Sequence, residues 1–214
     1  MCKESEGTLQ LTAQNTATGI FTQNDGTVEL AYNWGGDYVQ NNGTLTTTNG
    51  NVSVGQGTGE SVFMGKLNPN GEENFGTLVI KGDAKFDGVE YIVTLGTGNP
   101  SDMVEITGDV TFGAGNFSGI TIGKWQTGEY TIMTANSGLL GTNVGTPVFV
   151  NGVDITQSST GRMTAQLEIS DDKLVLKTQA SNMGLYWHNA GGVWDYEATN
   201  KNWHETYGDL SSDT

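Results

Sequence analysis

The tetrad Gly-Thr-apolar-x recurs as Gly7-Thr8-Leu9-Gln10, Gly26-Thr27-Val28-Glu29, Gly43-Thr44-Leu45-Thr46 and Gly76-Thr77-Leu78-Val79, at spacings of 19, 17 and 33 residues. The last spacing is close to twice the first two, with Val52-Ser53-Val54 or Val62-Phe63-Met64 as the missing rung. A unit of the shorter length, giving one short strand after a glycine turn, suits a single coil of a parallel β-solenoid. Such a coil leaves its core edge open and needs neighbours stacked on it.

Alternation gives the same reading. Leu9/Leu11, Val28/Leu30, Val52/Val54, Leu78/Ile80, Val104/Ile106, Val110/Phe112, Ile120/Ile122, Val148/Val150, Val153/Ile155, Leu167/Ile169 and Leu174/Leu176 are apolar i, i+2 pairs, most with a polar residue between them. That is the period of a strand with one buried face. Turn dipeptides separate the pairs, among them Asn42-Gly43, Asn70-Gly71, Asp87-Gly88 and Asn151-Gly152. A Greek-key β-sandwich is the alternative, since it too has short strands and frequent turns. The expected class is all-β, with the solenoid preferred because the tetrad repeats at coil length.

Composition narrows the field further. Gly, Thr and Asn make up 80 of 214 residues, proline only 3, and apolar residues 35% against roughly 45–50% for ordinary globular chains. Helix formers are too few for a bundle. A thin stack of rungs needs few inward side chains, so the low apolar fraction fits a solenoid. Nine basic residues face 24 acidic ones, a net charge of −15 that repels phosphate backbones and argues against a nucleic-acid partner. Cys2 is the single cysteine, so neither an internal disulfide nor a cysteine metal site can form. No run of 18 apolar residues occurs, so no membrane insertion by a helix is expected. The chain opens in mid-pattern and reads as a segment of something longer.

Family-like patterns appear next. Tyr91-Ile92-Val93-Thr94-Leu95, followed by Pro100-Ser101-Asp102-Met103-Val104-Glu105-Ile106-Thr107-Gly108-Asp109-Val110-Thr111-Phe112, resembles the C-terminal stretch of bacterial autotransporter passenger domains. Gly128-Glu129-Tyr130-Thr131-Ile132-Met133-Thr134-Ala135, followed by Gly138-Leu139-Leu140-Gly141, is similar to a strand of that same region, and the Gly-Thr-Leu rungs resemble the autotransporter-associated β-strand repeat. Residues 185–203, with Trp187, Gly191-Gly192, Trp194-Asp195 and Asn202-Trp203, resemble the opening of another repeat block. The resemblance covers most of residues 7–203. It implies a right-handed parallel β-helix over 1–180, with 181–214 as a Trp-rich lead-in of a following block or a C-terminal cap. It also implies cell-surface or secreted localisation, and no intrinsic activity shared across the family. The family's export signal and membrane β-barrel do not occur in this segment.

Each candidate site has a plainer explanation. Trp187, Trp194 and Trp203 form the one aromatic cluster able to stack on sugar rings; packing in a cap is the structural alternative. Trp34, beside Gly35-Gly36, is expected in a turn. His188 and His204, with Asp195 and Glu205 nearby, lack the spacing of a metal or acid–base site. Asp171-Asp172 would point to opposite faces of a strand, so a turn is expected. Arg162 is the sole arginine, too little for a lyase base cluster. Gly55-Gln56-Gly57-Thr58-Gly59 lacks the following Lys-Ser/Thr of a phosphate loop and reads as a plain loop. No cofactor or metal is expected, and no catalysis. The expected role is a rigid stalk or adhesive display surface that meets host or cell-surface glycans, proteins, or further copies of itself. A carbohydrate-binding or carbohydrate-active module on the same scaffold is the alternative.

Overall fold

A computed structural model describes residues 1–14, 16–71, 73–139, 145–156 and 163–180, together with two short strands, β21 (Tyr186–Trp187) and β22 (Trp203–His204). The described chain is all-β and forms three largely parallel sheets. The first holds β1 (Cys2–Lys3), β3 (Phe21–Gln23), β5 (Tyr38–Gln40), β8 (Glu60–Phe63), β11 (Asp83–Phe86) and β14 (Val110–Phe112), hydrogen-bonded in that order. The second runs β2 (Thr8–Leu11), β4 (Thr27–Leu30), β6 (Thr44–Thr47), β9 (Lys66–Asn68), β12 (Val89–Thr94), β15 (Phe117–Lys124), β17 (Val148–Val150) and β18 (Val153–Asp154). The third runs β7 (Asn51–Val54), β10 (Thr77–Ile80), β13 (Met103–Ile106), β16 (Gly128–Thr134), β20 (Lys173–Ala180) and β19 (Met163–Ser170). From β7 to β16 the chain visits the third, first and second sheets in strict rotation. This order is compatible with a β-solenoid and differs from a sandwich of two antiparallel sheets.

The tetrads do not form one column. Thr8, Thr27 and Thr44 are register partners in the second sheet, whereas Thr77 opens β10 in the third sheet and pairs with Asn51 and Met103. The next rung of the Gly-Thr column is Lys66-Leu67-Asn68, which carries no tetrad. Val52-Ser53-Val54 is instead the neighbour of β10, and Val62 lies in the first sheet. The reason is the third sheet itself, whose first strand is β7. The two circuits before it are short, and those after it lengthen: Thr44 pairs with Lys66, Lys66 with Glu90, and Ile120 with Val148. The short period of the tetrads therefore holds only at the N-terminal end.

The interior is a column of rings. Trp34 meets Phe21 edge-on at 5.3 Å; Phe21 stacks on Tyr38 at 5.0 Å and 6°, and Tyr38 on Phe63 at 6.0 Å and 8°. Phe63 then stacks on Phe86 at 5.4 Å, and Phe86 leans on Phe117 at 5.6 Å. Offset and edge-on pairs at these distances each add to simple burial. The column steps sideways between β5 and β8: Gln40 is the register partner of Phe63, while Tyr38 donates its backbone N–H to Ser61 Oγ at 3.0 Å. A ring faces a polar side chain in both pairs, with the small Ser61 opposite the large Tyr38. Trp34, expected in a turn, is 5% exposed and bridges to Val54, with its indole N–H donated to Gly19 O at 3.1 Å. Truncating the fully buried Phe86 to alanine removes a ring from the middle of this column and is expected to cost about 3–5 kcal/mol, read as a lower urea midpoint.

Two buried amides clip successive circuits together. Gln23 Nε2 donates to Gly26 O at 2.8 Å and Thr44 O at 3.1 Å; Gln40 Nε2 donates to Gly43 O and Lys66 O, both at 3.1 Å. Each amide therefore ties its own turn to the strand that opens in the next circuit. Lys3, one register step earlier, donates to Ser5 O and Glu6 O instead. The Tyr38 hydroxyl donates to Gln23 Oε1 at 2.8 Å. Tyr38→Phe leaves that buried acceptor unpaired and should lower stability by about 1–3 kcal/mol in thermal melts.

The C-terminal side ends the parallel growth. β16 pairs in parallel with β13 but antiparallel with β20, and β19 with β20 forms a hairpin through Asp171 and Asp172. Both aspartates have positive φ, 48° and 57°, as a two-residue hairpin turn requires. The turn expected there is present.

Candidate functional site

Of the three tryptophans singled out for sugar stacking, Trp187 and Trp203 are register partners on β21 and β22, which run antiparallel. The backbone thus brings them opposite each other although they stand well apart in sequence. Trp194 lies outside the described residues, as do His188, Asp195, Glu205 and Arg162; His204 is the register partner of Tyr186. Gly55-Gln56-Gly57-Thr58-Gly59 connects β7 to β8 as a loop, with Gln56 Nε2 donating to Thr18 O. Among the described residues no three His, Cys, Asp or Glu side chains converge as a metal site, and no helix is long and apolar enough to cross a membrane.

Two carboxylates that the sequence does not single out as site residues, Asp102 and Glu90, have organised surroundings. Asp102 is fully buried where the chain enters β13. Its Oδ1 accepts the Gly76 N–H and its Oδ2 the Thr94 N–H, both at 2.8 Å, so one side chain ties the start of β10 to the end of β12. The buried Thr94 hydroxyl donates in turn to Gly71 O at 3.2 Å. Burial pushes the Asp102 carboxyl up to about 7, against the two N–H donors that favour its charged form. The same burial, with the Asp102 charge nearby, raises the Tyr91 phenol, whose hydroxyl donates to Ile132 O at 3.0 Å. Solvent reaches neither group, so this is a structural clamp and no seat for a substrate.

Glu90 stands on the outer face of the second sheet. Its Oε2 accepts Lys66 Nζ at 2.7 Å and its Oε1 accepts the Thr121 hydroxyl at 2.9 Å. Burial acts to raise this carboxyl, but the bonds from Lys66 and Thr121 outweigh it and hold Glu90 below the ordinary glutamate range. Beside it lies an open hollow of about 480 Å³ bounded by Glu90, Ser118, Gly119, Thr121, Phe149 and Gly152. An outward aromatic ring and fixed polar groups thus meet around one hollow. The sequence does not single this place out, because Val148/Val150 reads as the inward pair and leaves Phe149 facing out. Three apolar residues in a row on a one-sided strand are the available signal.

No protein-family model matches the chain, and no curated protein matches it.

Proposed function

We propose that this chain is a segment of an exported bacterial surface protein of the autotransporter-passenger kind. It is built as a right-handed parallel β-helix that serves as a non-catalytic stalk and display surface. The observation that carries the reading is the rotation of the chain through three parallel sheets, with each rung paired only to the rungs before and after it. Such a body lengthens by one strand spacing, about 4.8 Å, with every circuit. It gains reach without needing a larger core. The acidic surface supports the same reading: at −15 it resists association with polyanions and keeps a long exposed body soluble. The resemblance of the Tyr91–Phe112 and Gly128–Gly141 stretches to passenger domains points the same way.

Antibodies raised against residues 1–180 provide the test on the source cells. Labelling of intact, unpermeabilised cells, and loss of the antigen when those cells are treated with protease, are the expected results. An antigen reached only after lysis removes the proposal. The non-catalytic part has its own check, because release of reducing ends or unsaturated sugars from a polysaccharide panel would show an enzyme instead.

A further inference from the structure

We propose that the hollow over Gly119 is a binding subsite for a neutral glycan, with Phe149 as the stacking platform and Glu90 as the fixed acceptor. This goes beyond the stalk reading and stands whether or not the chain is exported.

The platform is built by register. Thr121 pairs with Phe149, and Ile120 with Val148, so Phe149 projects to the solvent side while both valines point into the core. On the preceding strand Gly119 lies beneath the ring: a Cβ added there would come within 2.9 Å of Phe149 Cε2. Glycine at this point lets the ring lie close to the sheet, and the ring forms one wall of the hollow. Ile92 and Phe149 flank Thr121 on this outer face, and Phe149 presents a large aromatic side chain beside the open hollow.

The polar groups match one ligand chemistry. A pyranose offers an apolar C–H face to a ring and hydroxyls around its edge. Binding sites of this size combine an apolar wall with a few placed polar groups, and here those are the Glu90 carboxylate and the Ser118 and Thr121 hydroxyls. Glu90 is held by Lys66 and Thr121, so accepting a sugar hydroxyl orders nothing further. A polar row leads away from the hollow along the same face: Gly119 pairs with Glu90, Glu90 with Lys66, Lys66 with Thr44, and Thr44 with Thr27. A chain of several sugars would extend along that row. Charge selects a neutral one, because Lys66 is already paired to Glu90 and the protein as a whole is strongly acidic.

The experiment is saturation-transfer NMR and calorimetry on the full chain with maltohexaose, cellohexaose and chitohexaose, and with hexagalacturonate as the anionic comparison. At least one neutral hexasaccharide is expected to bind with a Kd on the order of 0.1–1 mM. Phe149→Ala should weaken that binding by about tenfold or more. Gly119→Ala, which displaces the ring and leaves every polar group in place, should weaken it as well. Glu90→Gln keeps the shape of the side chain and should reduce affinity by about threefold to tenfold. Phe149→Leu preserves apolar bulk and folding while removing the ring face, so it still reports if the alanine variant is unstable. Absence of binding by all three neutral sugars at about 10 mM overturns the proposal. So does equal binding by the parent and the folded Phe149→Leu protein, or tighter binding of hexagalacturonate.

Discussion

Gly43→Ala is expected to lower the stability of this protein by about 3–5 kcal/mol, among the largest effects available from one methyl group. Two costs combine. Gly43 has φ of 83°, where an L side chain costs about 1–2 kcal/mol. The added Cβ would also collide with the Gly26 carbonyl oxygen, which accepts the Thr44 N–H at 2.8 Å. The methyl therefore sits where two successive circuits touch. To make room, the β4–β6 ladder must open at its first bond, and Gln23, which donates to Gly26 O and Thr44 O, loses its seat with it. Gly88→Ala separates the two costs. Gly88 has φ of 71° but open space around the added Cβ, so only the backbone penalty, about 1–2 kcal/mol, is expected there. Urea unfolding of both variants gives the comparison. Equal midpoints would show that the contact between circuits is slack. Because β6 pairs only with β4 and β9, hydrogen exchange in Gly43→Ala should speed up in those strands and change little in β13 and β16.

The second large effect is tied to pH. Asp102 titrates at about 7 in the fold and at about 4 in an unfolded chain, so the fold prefers it protonated. Its stabilising contribution is complete below about pH 4 and is lost as pH rises through 7; linkage puts the full swing at roughly 2–4 kcal/mol. Asp102→Asn removes that titration. The difference in urea midpoint between parent and variant should shift against the parent between pH 5 and pH 8, and a constant difference across that range would show that Asp102 keeps an ordinary carboxyl. Asp102→Ala is the harsher change. It leaves the Gly76 and Thr94 N–H groups buried without an acceptor, a loss of about 2–5 kcal/mol at any pH.

The parts of this fold that can be read from the sequence are those governed by alternation. Val28/Leu30, Val52/Val54, Leu78/Ile80 and Val104/Ile106 are buried pairs, each on a single short strand. At the ends of the stack the rule weakens: Leu9 and Leu11 on β2, Phe112 on β14 and Ile169 on β19 are only partly covered, and Val153 on β18 is 62% exposed, each on the outermost strand of its sheet. What alternation does not give is which sheet a rung joins, since Thr44 and Thr77 look alike and differ only in how many strands precede them in the circuit. Inward polar residues are equally hidden. Gln23, Gln40 and Asp102 read as surface or linker positions because partners of each are backbone atoms far away in sequence. Trp34 reads as a turn residue because two glycines follow it, yet those glycines let the chain pass close to the preceding circuit: a Cβ on Gly36 would strike the Gly19 carbonyl. Of Trp187, Trp194 and Trp203, the described backbone pairs Trp187 with Trp203 across β21 and β22, a juxtaposition that their wide separation in sequence hides.

The lengthening of the circuits has a mechanical consequence. Near the N-terminal end the pass from Thr27 to Thr44 crosses only two of the sheets, while the pass from Lys66 to Glu90 crosses all three. Every pass advances the stack by the same strand spacing, so the third strand gained from β7 onward goes into girth. Resistance to bending climbs steeply with the width of a beam, which makes this body a tapered cantilever, slender at the end that holds Thr8 and stout at the end closed by the Asp171–Asp172 hairpin. A sideways load at the slender end would be taken up in the first few rungs, around the Gln23 and Gln40 clips, before the broader rungs beneath them gave way.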